Sequence, residues 1–414
     1  GIRMASVTAL DVVTGGTASL VSNHVELVVD AFVGASMETL STSISDDATV
    51  SVGDDLTVNA KDVRVRGEGD FDLRTSGAGT VSSNSVDMSV DAGLSVSAGG
   101  AVGITSASVD VSSSTSVAVS TGSLSLDSAA ATEVFSGTSL TATTTTLEAH
   151  SAEDTALTAG GRVTTTSADA TVNVGDTLDV SAASTRVRNS GVVDVFAKEG
   201  TRLTSTDMAM SVGDEVQILG GNEVVLTTET LALNADTSAG ISARGMAMSV
   251  NDALTATVGS ATTVTSTDVN VDAGDDITLS GVDAAKVEMA TVQVTTASGL
   301  TAEVGTETSV VSQALKVDVV SGTKVSTADM ALEASGTMSV SGQESLTVSA
   351  GTVALDAAQD GTIRMGGDAV LAAGDGIRMA SVTALDVVTG GTASVISNEL
   401  DVSVGSAVRG SMDS

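Results

Sequence analysis

This chain lacks several residue types that most globular proteins use. It contains no proline, cysteine, tryptophan or tyrosine, and four phenylalanines are its only aromatic residues. Without cysteine there is no disulfide scaffold, no cysteine-ligated zinc site and no thiol catalysis. Large aromatic side chains each bury roughly 150–250 Å² in an ordinary core. An interior of small aliphatic side chains suits a narrow cross-section in which a ring would not fit.

Positive charge and long apolar runs are also scarce. The chain has 17 Lys and Arg against 52 Asp and Glu, a net charge of −35. Such a surface repels nucleic acid and anionic membranes, so neither is an expected partner. No apolar run approaches the roughly 18 residues that could span a membrane. Disorder is a competing explanation for these values, but hydrophobic residues make up 42% of the chain and are regularly placed, which favours a folded protein.

A block of nineteen residues occurs twice. The sequence GIRMASVTALDVVTGGTAS fills residues 1–19 and returns unchanged at 376–394, and the two copies keep aligning without a gap. Residues 1–375 therefore form one long tandem repeat, and 376–414 start the next copy. No globular domain is expected. The pattern indicates a segment of a larger repetitive protein in which the repeats serve to make the molecule long.

A much shorter repeat lies inside the long one. Four segments share the form Leu-x-Val-x-Ala and begin at Leu56, Leu94, Leu178 and Leu346. This alternation predicts half-buried β-strands. The leucines are separated by 5, 11 and 22 short units, each of about 7.6 residues. About 49 such units fill the long repeat, and no stretch shows a helical stripe, so the chain is predicted to be all-β.

Glycine-aspartate pairs separate many of the predicted strands, as at Gly53-Asp54, Gly175-Asp176 and Gly213-Asp214. Glycine tolerates positive φ and aspartate bonds to nearby backbone amides, so both suit tight corners. Strands of four or five residues joined by two- or three-residue corners predict an elongated β-helix or β-solenoid. Its apolar face would point to the axis, with Ser, Thr and Asp outside. The absence of proline fits a continuous ladder of strands.

Two β-helical designs are compatible with these units. One chain could coil on itself with three units, about 23 residues, per turn, or three chains could intertwine with one strand each per level. The intervals 5, 11 and 22 share no factor of two or three, so no side has its own sequence identity. This equivalence favours an intertwined homotrimer over the single-chain coil. At ~4.8 Å per level the trimer would extend roughly 235 Å per long repeat, and the single coil about a third of that.

The short strand-and-corner unit resembles those of a known class of fibres, whose repeats carry Val and Gly. Here a regular Val-x-Gly is missing and occurs only sporadically, as in Val320-Ser321-Gly322. The unit is similar to the triple-stranded β-helix of phage tail-spike needles and type VI secretion spikes. More loosely, it resembles filamentous-haemagglutinin-type and trimeric-autotransporter repeats of bacterial surface adhesins. The resemblance covers nearly the whole chain and is one of pattern. It implies a fibre, a spike or an adhesin.

No residue is predicted to be catalytic, cofactor-binding or metal-ligating. The two histidines, His24 and His150, have no partner arrangement, and Glu399 replaces His24 in the second copy. The acidic corners Gly53-Asp54-Asp55 and 272–276 offer oxygen ligands that suit Ca²⁺, although solvated turn residues are the preferred interpretation. Arg64 and Arg66 are expected to point outward and meet acidic neighbours across the ladder.

The sequence therefore predicts a structural protein and no enzyme. It would form the shaft of a long extracellular filament, surface appendage or viral fibre, self-associating as a homotrimer and continuing end to end through tandem repeats. The alternative is an adhesin stalk or membrane-piercing spike whose binding tip lies outside this window. A solenoid glycan-active enzyme is a third hypothesis, but the short corners and missing Trp and Tyr offer no sugar platform.

Overall fold

The fold is described from a computed structural model. It describes residues 2–6, 9–14, 17–22, 25–235, 238–250, 254–258, 261–273, 277–281, 284–296, 300–304, 307–312, 314–319, 323–327, 329–335, 337–365, 369–381, 384–389, 392–404 and 407–412. All regular structure in these ranges is β-strand, and no helix occurs in them. The prediction of an all-β chain is confirmed.

Forty-one strands make up the structure. The first twenty are β1 (Ile2–Ser6), β2 (Ala9–Val13), β3 (Thr17–Ser22), β4 (Val25–Val29), β5 (Phe32–Ile44), β6 (Ala48–Val52), β7 (Leu56–Gly67), β8 (Phe71–Thr75), β9 (Gly79–Ser82), β10 (Ser85–Val90), β11 (Leu94–Ala98), β12 (Ala101–Ser106), β13 (Ser108–Ser113), β14 (Ser116–Ser128), β15 (Thr132–Ser136), β16 (Ser139–Ser151), β17 (Thr155–Ser167), β18 (Asp169–Val174), β19 (Thr177–Asn189) and β20 (Val193–Ala197).

The remaining strands are β21 (Gly200–Val212), β22 (Glu215–Gly220), β23 (Glu223–Ala235), β24 (Ser238–Val250), β25 (Leu254–Val258), β26 (Ala261–Ala273), β27 (Ile277–Gly281), β28 (Ala284–Thr296), β29 (Leu300–Val304), β30 (Glu307–Ser312), β31 (Ala314–Val319), β32 (Thr323–Ser326), β33 (Asp329–Ala334), β34 (Met338–Gly342), β35 (Leu346–Ala357), β36 (Asp360–Met365), β37 (Ala369–Ser381), β38 (Ala384–Thr389), β39 (Ala393–Ile396), β40 (Glu399–Val404) and β41 (Ala407–Met412).

The chain forms two compact units, Gly1–Thr206 and Asp207–Ser414. Within the first unit Val25 lies opposite Ala48, and within the second Leu254 lies opposite Ile277, each a parallel pairing within the same chain. The fold is a parallel β-solenoid, which confirms the predicted architecture. Its coil length is the one predicted for a three-sided single chain. The intertwined homotrimer stays a prediction.

The predicted strand length is only partly right. Strand β14 runs for 13 residues, and its first part pairs with β11 while its second part pairs with β12. One strand therefore covers two strand positions. The chain bends here without leaving the ladder, because the Gly122 N–H donates to the Gly100 carbonyl of the preceding coil at 2.9 Å. Corners of this kind carry no Gly-Asp pair, so a count of Gly-Asp pairs misses them.

The three sides of the coil have no separate sequence identity, as predicted. A column is defined here as the residues that lie opposite one another in successive coils. The three Leu-x-Val-x-Ala segments of the first unit lie in three different columns: Leu56 is opposite Gly79, Leu94 opposite Val117, and Leu178 opposite Thr155. A single chain thus tolerates equivalent sides without threefold symmetry between chains.

The interior is aliphatic, as predicted, but one ring does enter it. Phe71 packs against apolar clusters of the first unit. Its ladder neighbour in the preceding coil is the small residue Ala48, which is 2% exposed. By contrast, Phe135 and Phe196 lie on the outer surface, 49% and 44% exposed. A ring therefore fits inside the coil where its neighbour is small.

Many serine and threonine side chains point inward, which corrects the prediction that they cover only the outside. Ser136, at the end of β15, is fully buried, and its hydroxyl donates toward the carbonyls of Thr115 and Ser139 at 2.9 and 2.8 Å. Thr121 makes the same pair of contacts with Gly100 and Ser123. A buried hydroxyl needs a hydrogen-bond partner. The corner carbonyls supply it.

Glycine at the corners serves a purpose different from the predicted one. No glycine in the described residues has positive φ. A Cβ atom added at Gly175 would instead overlap the backbone carbonyl of Ala152, and one added at Gly53 would overlap that of Asp30. The coils approach each other too closely at these points for any side chain. Crowding between coils, and not backbone conformation, selects glycine here.

Candidate functional site

Corner aspartates bind the backbone of the next coil. The Asp47 carboxylate accepts the Asp70 N–H at 2.9 Å, and the Asp70 carboxylate accepts the Gly93 N–H at 2.8 Å. The predicted acidic corner Gly53-Asp54-Asp55 takes part in this pattern, since Asp55 accepts the Ala78 N–H at 2.7 Å. Each bond spans one coil of 23 residues. Carboxylates at corners therefore satisfy amides that have no ladder partner.

At Asp154, hydrogen bonds to the next coil change the pKa of the corner carboxylate. Its carboxylate accepts both the hydroxyl and the backbone N–H of Thr177, at 2.7 and 3.0 Å. These two hydrogen bonds, the hydroxyl first, hold the pKa of Asp154 below its ordinary value. Hydrogen bonds to the charged form favour ionisation. This aspartate belongs to the ladder and offers no general acid.

Acidic side chains also stack along the outer face of the strands. Asp87, Asp110 and Glu133 lie opposite one another in three successive coils. Burial among neighbours raises the pKa of Asp110, and the negative charges of Asp87 and then Glu133 raise it further. Arg66 lies 3.8 Å from the Asp87 carboxylate, so the prediction that this arginine meets an acidic neighbour across the ladder is confirmed.

A second outer column combines four different chemistries. Asp127, His150, Asn173 and Phe196 lie opposite one another in consecutive coils. The Asn173 side-chain amide is 3.2 Å from His150 Nδ1. These side chains line a shallow open groove of about 510 Å³, with the Phe196 ring at one end. A polar row ending in an exposed ring can contact a ligand.

The axis of the first unit contains a long apolar cavity of about 200 Å³. It is lined by inward side chains of successive coils, both near the corners, as at Leu94, and in mid-strand, as at Val96, Val119 and Ala142, and it spans coils from Leu56 to Val172. The interior of these coils is therefore not completely filled.

The predicted site residues are distributed as follows. His150 lies between Asp127 and Asn173 in neighbouring coils. These partners are far from it in the sequence, so they were not identified from the sequence. His24 lies outside the described residues, as do residues 274–276 of the second predicted acidic corner. Within the described ranges, no three His, Cys, Asp or Glu side chains form a group that could hold a metal ion. Calcium binding at the acidic corners stays a prediction.

The outer columns were missed because their members are one coil apart. Asp127, His150, Asn173 and Phe196 follow one another at steps of 23 residues. Three of the short units add up to that step, so aligning the sequence in rows of one coil could have placed these side chains together. The signal was present in the short repeat.

No protein-family model, curated protein or solved structure matches this chain. The described residues also contain no helix with the length and apolar character needed to cross a membrane.

Proposed function

We propose that this chain forms the shaft of a long extracellular filament, cell-surface appendage or viral fibre. The observation that carries the proposal is the shortness of the connections in the continuously described part of the chain. From β4 to β21, no connection between successive strands is longer than three residues. Solenoid enzymes and binding modules build sites on longer loops. A coil made almost entirely of paired strands and short corners is suited to forming a long shaft.

The mode of pairing supports indefinite growth. Within each unit, successive coils pair through the same kind of parallel ladder, and inward side chains of one coil are buried beside those of the next. In such one-dimensional folds, stability accumulates through nearest-neighbour contacts. The long tandem repeat supplies further coils of the same kind. End-to-end continuation through tandem repeats follows naturally.

A shaft of this kind could contain one chain or three. An intertwined homotrimer would pair each strand with strands of two other chains, using backbone groups that here pair within one chain. Because the same backbone groups cannot serve both pairings, we infer that the unit of the shaft is a single-chain coil. Native mass spectrometry separates the two designs, because the particle contains either one chain or three.

Electron microscopy of proteins with one, two and three long repeats tests the proposed role. A single-chain shaft should appear as a rod that lengthens by about 78 Å per repeat, given roughly sixteen coils at ~4.8 Å each. The width should stay constant throughout the series. Compact particles whose diameter grows with the number of repeats would contradict a shaft.

An adhesin stalk is the second candidate function. The exposed Phe196 ring and the Asp127–His150–Asn173 row give the surface a feature that a passive shaft does not need. The main binding tip would lie outside this sequence. If a tip exists, removing the segment beyond the repeats should abolish adhesion and leave the rods intact. A gene made of repeats alone would contradict this candidate.

A further inference from the structure

The length of the long repeat can be compared with the length of a coil. In both units a coil normally takes 23 residues, as it does from Val25 to Ala48. Some coils depart from this length by one residue. Shorter coils start at Thr17, Val102, Arg162, Glu223 and Glu307, and longer coils start at Val353, Asp360 and Ala369. Each deviation is a single residue, which is small beside a strand position of seven or eight residues.

The long repeat is not a whole number of coils. The repeat ends at position 375, whereas sixteen coils of 23 residues end seven residues earlier, at position 368. This remainder equals about one strand position, which is a third of a coil. The same result follows from the unit count, because about 49 strand positions exceed sixteen coils of three by one. The remainder is one side of the coil.

We propose that successive copies of the long repeat are out of phase with the coil by one strand position, so that each copy begins one face further round. The fourth copy returns to the face of the first. This proposal concerns the coil itself, and it holds whether the protein serves as a shaft, a stalk or neither.

The equivalence of the three sides makes such an offset possible. A segment that moves to another face must pack equally well there. In the first unit, the three Leu-x-Val-x-Ala segments already occupy three different columns, with Leu56, Leu94 and Leu178 all buried. The inward positions therefore accept the same segment on any side. Face-specific packing would have required a repeat of whole coils.

The offset determines how the surface meets its partners. The acidic column Asp87–Asp110–Glu133 and the Phe196 groove each lie on one side of the coil. Where a further copy carries the same residues, the offset places each feature on the next side, about one repeat further along. Like charges are thereby spread around the axis. A partner that binds one such feature is held on three sides in turn, which suits radial decoration of the coil over a sheet stacked on one face.

Two labelled variants test the offset, and the absence of native cysteine makes them specific. Thr17 and Thr392 are exposed and occupy equivalent positions of the two copies. Asp360 is exposed, and its distance from Thr17 along the sequence is within two residues of fifteen coil lengths of 23 residues. The variants T17C/T392C and T17C/D360C are labelled with maleimide gold and reconstructed by electron cryo-microscopy. Both must keep the parent's thermal transition.

We expect the D360C label on the same face as the T17C label, and the T392C label one face away. Any twist of the coil rotates both distal labels by similar amounts, so the comparison between variants removes it. Finding T392C on the face of T17C, or D360C on another face, would overturn the offset. Filament formation is not required for the measurement, so a failure of the proposed function would leave the result readable.

Discussion

Aspartate side chains at the corners of this coil and on its flat faces are in opposite electrostatic environments. At a corner, Asp154 accepts two hydrogen bonds from Thr177, and its pKa is lowered. On a face, Asp110 stands between Asp87 and Glu133, and its pKa is raised. At a corner, an added Cβ atom at Gly175 would overlap the neighbouring coil, whereas one added at Gly103 on a face meets nothing within 4 Å. The corners hold coils together, and the faces tolerate change.

The largest expected change in stability comes from adding a methyl group at a corner. Gly175→Ala places a Cβ atom against the Ala152 backbone, which cannot move without breaking the ladder. Overpacking of this kind costs about 1–3 kcal/mol. The measurement is the free energy of unfolding by urea. The matched control is Gly103→Ala on a face, where an added Cβ meets nothing within 4 Å, and it should change stability by less than about 1 kcal/mol. Equal losses in the two variants would refute the contrast.

Removing a buried corner hydroxyl should have the next largest effect. Ser136→Ala removes the buried hydroxyl that bonds to the carbonyls of Thr115 and Ser139. Loss of such a hydrogen bond costs about 0.5–1.5 kcal/mol. Ser97→Ala, at an exposed position on a face, should stay within about 0.5 kcal/mol of the parent. Denaturant titration of both variants decides between them. An unchanged Ser136→Ala variant would show that the hydroxyl does not support the corner.

Filling the axial cavity should stabilise the chain. Ala142→Val adds two carbons to the cavity lining in mid-strand, where space is available. Burying them is worth about 1.5 kcal/mol at ~0.8 kcal/mol per methylene. Ala118→Val, which points outward between the inward residues Val117 and Val119, controls for β-propensity. Calorimetric melting of both proteins measures the gain. Destabilisation by Ala142→Val alone would mean that the coil centre is already full.

The smallest effects come from the two aspartates, and their signs are opposite. Asp154 has a lowered pKa in the fold, so its carboxylate stabilises the protein above its ordinary value of 3.8, and that stability is lost as the pH falls through the lowered value. Asp154→Asn should therefore melt below the parent at neutral pH. The difference should shrink in acid. A melting temperature independent of this substitution would count against the carboxylate as a corner ligand.

Asp110 should behave in the reverse way. Its pKa is raised in the fold, so its ionisation destabilises the protein as the pH rises past the ordinary value of 3.8 and through the raised one. Asp110→Asn should melt above the parent at neutral pH, and the gain should vanish below 3.8. Thermal melts over this pH range measure it. A variant that loses stability at neutral pH would contradict like-charge repulsion on the face.

The sequence predicted the elements that repeat and missed those that depend on neighbouring coils. The Leu-x-Val-x-Ala spacing was sufficient to predict strands, the short unit and the length of a three-sided coil. It could not show why Gly175 is glycine, because the crowding comes from Ala152, one coil earlier. The role of Ser136 was hidden for the same reason, since its acceptor Thr115 lies 21 residues back.

The outer columns follow the same rule. His150 looked isolated because Asn173 and Asp127 each lie one coil away. Once the coil length is known, such groupings can be read from the sequence by aligning it in rows. The axial cavity could not be predicted this way, because it depends on how far short mid-strand side chains such as Ala142 reach toward the axis.

The central claim is that one chain supplies successive strands of each ladder, and a single engineered disulfide tests it directly. Ser95 and Ala118 lie opposite each other in consecutive coils. Parallel neighbours about 4.8 Å apart fall within the ~4.4–6.8 Å Cα range of disulfides. S95C/A118C should oxidise to a closed monomer on denaturing, non-reducing electrophoresis. S95C/T141C, two coils apart, should keep free thiols. In an intertwined trimer, Ser95 and Ala118 of one chain would be three levels apart, so free thiols or cross-linked oligomers from S95C/A118C would contradict the single-chain coil.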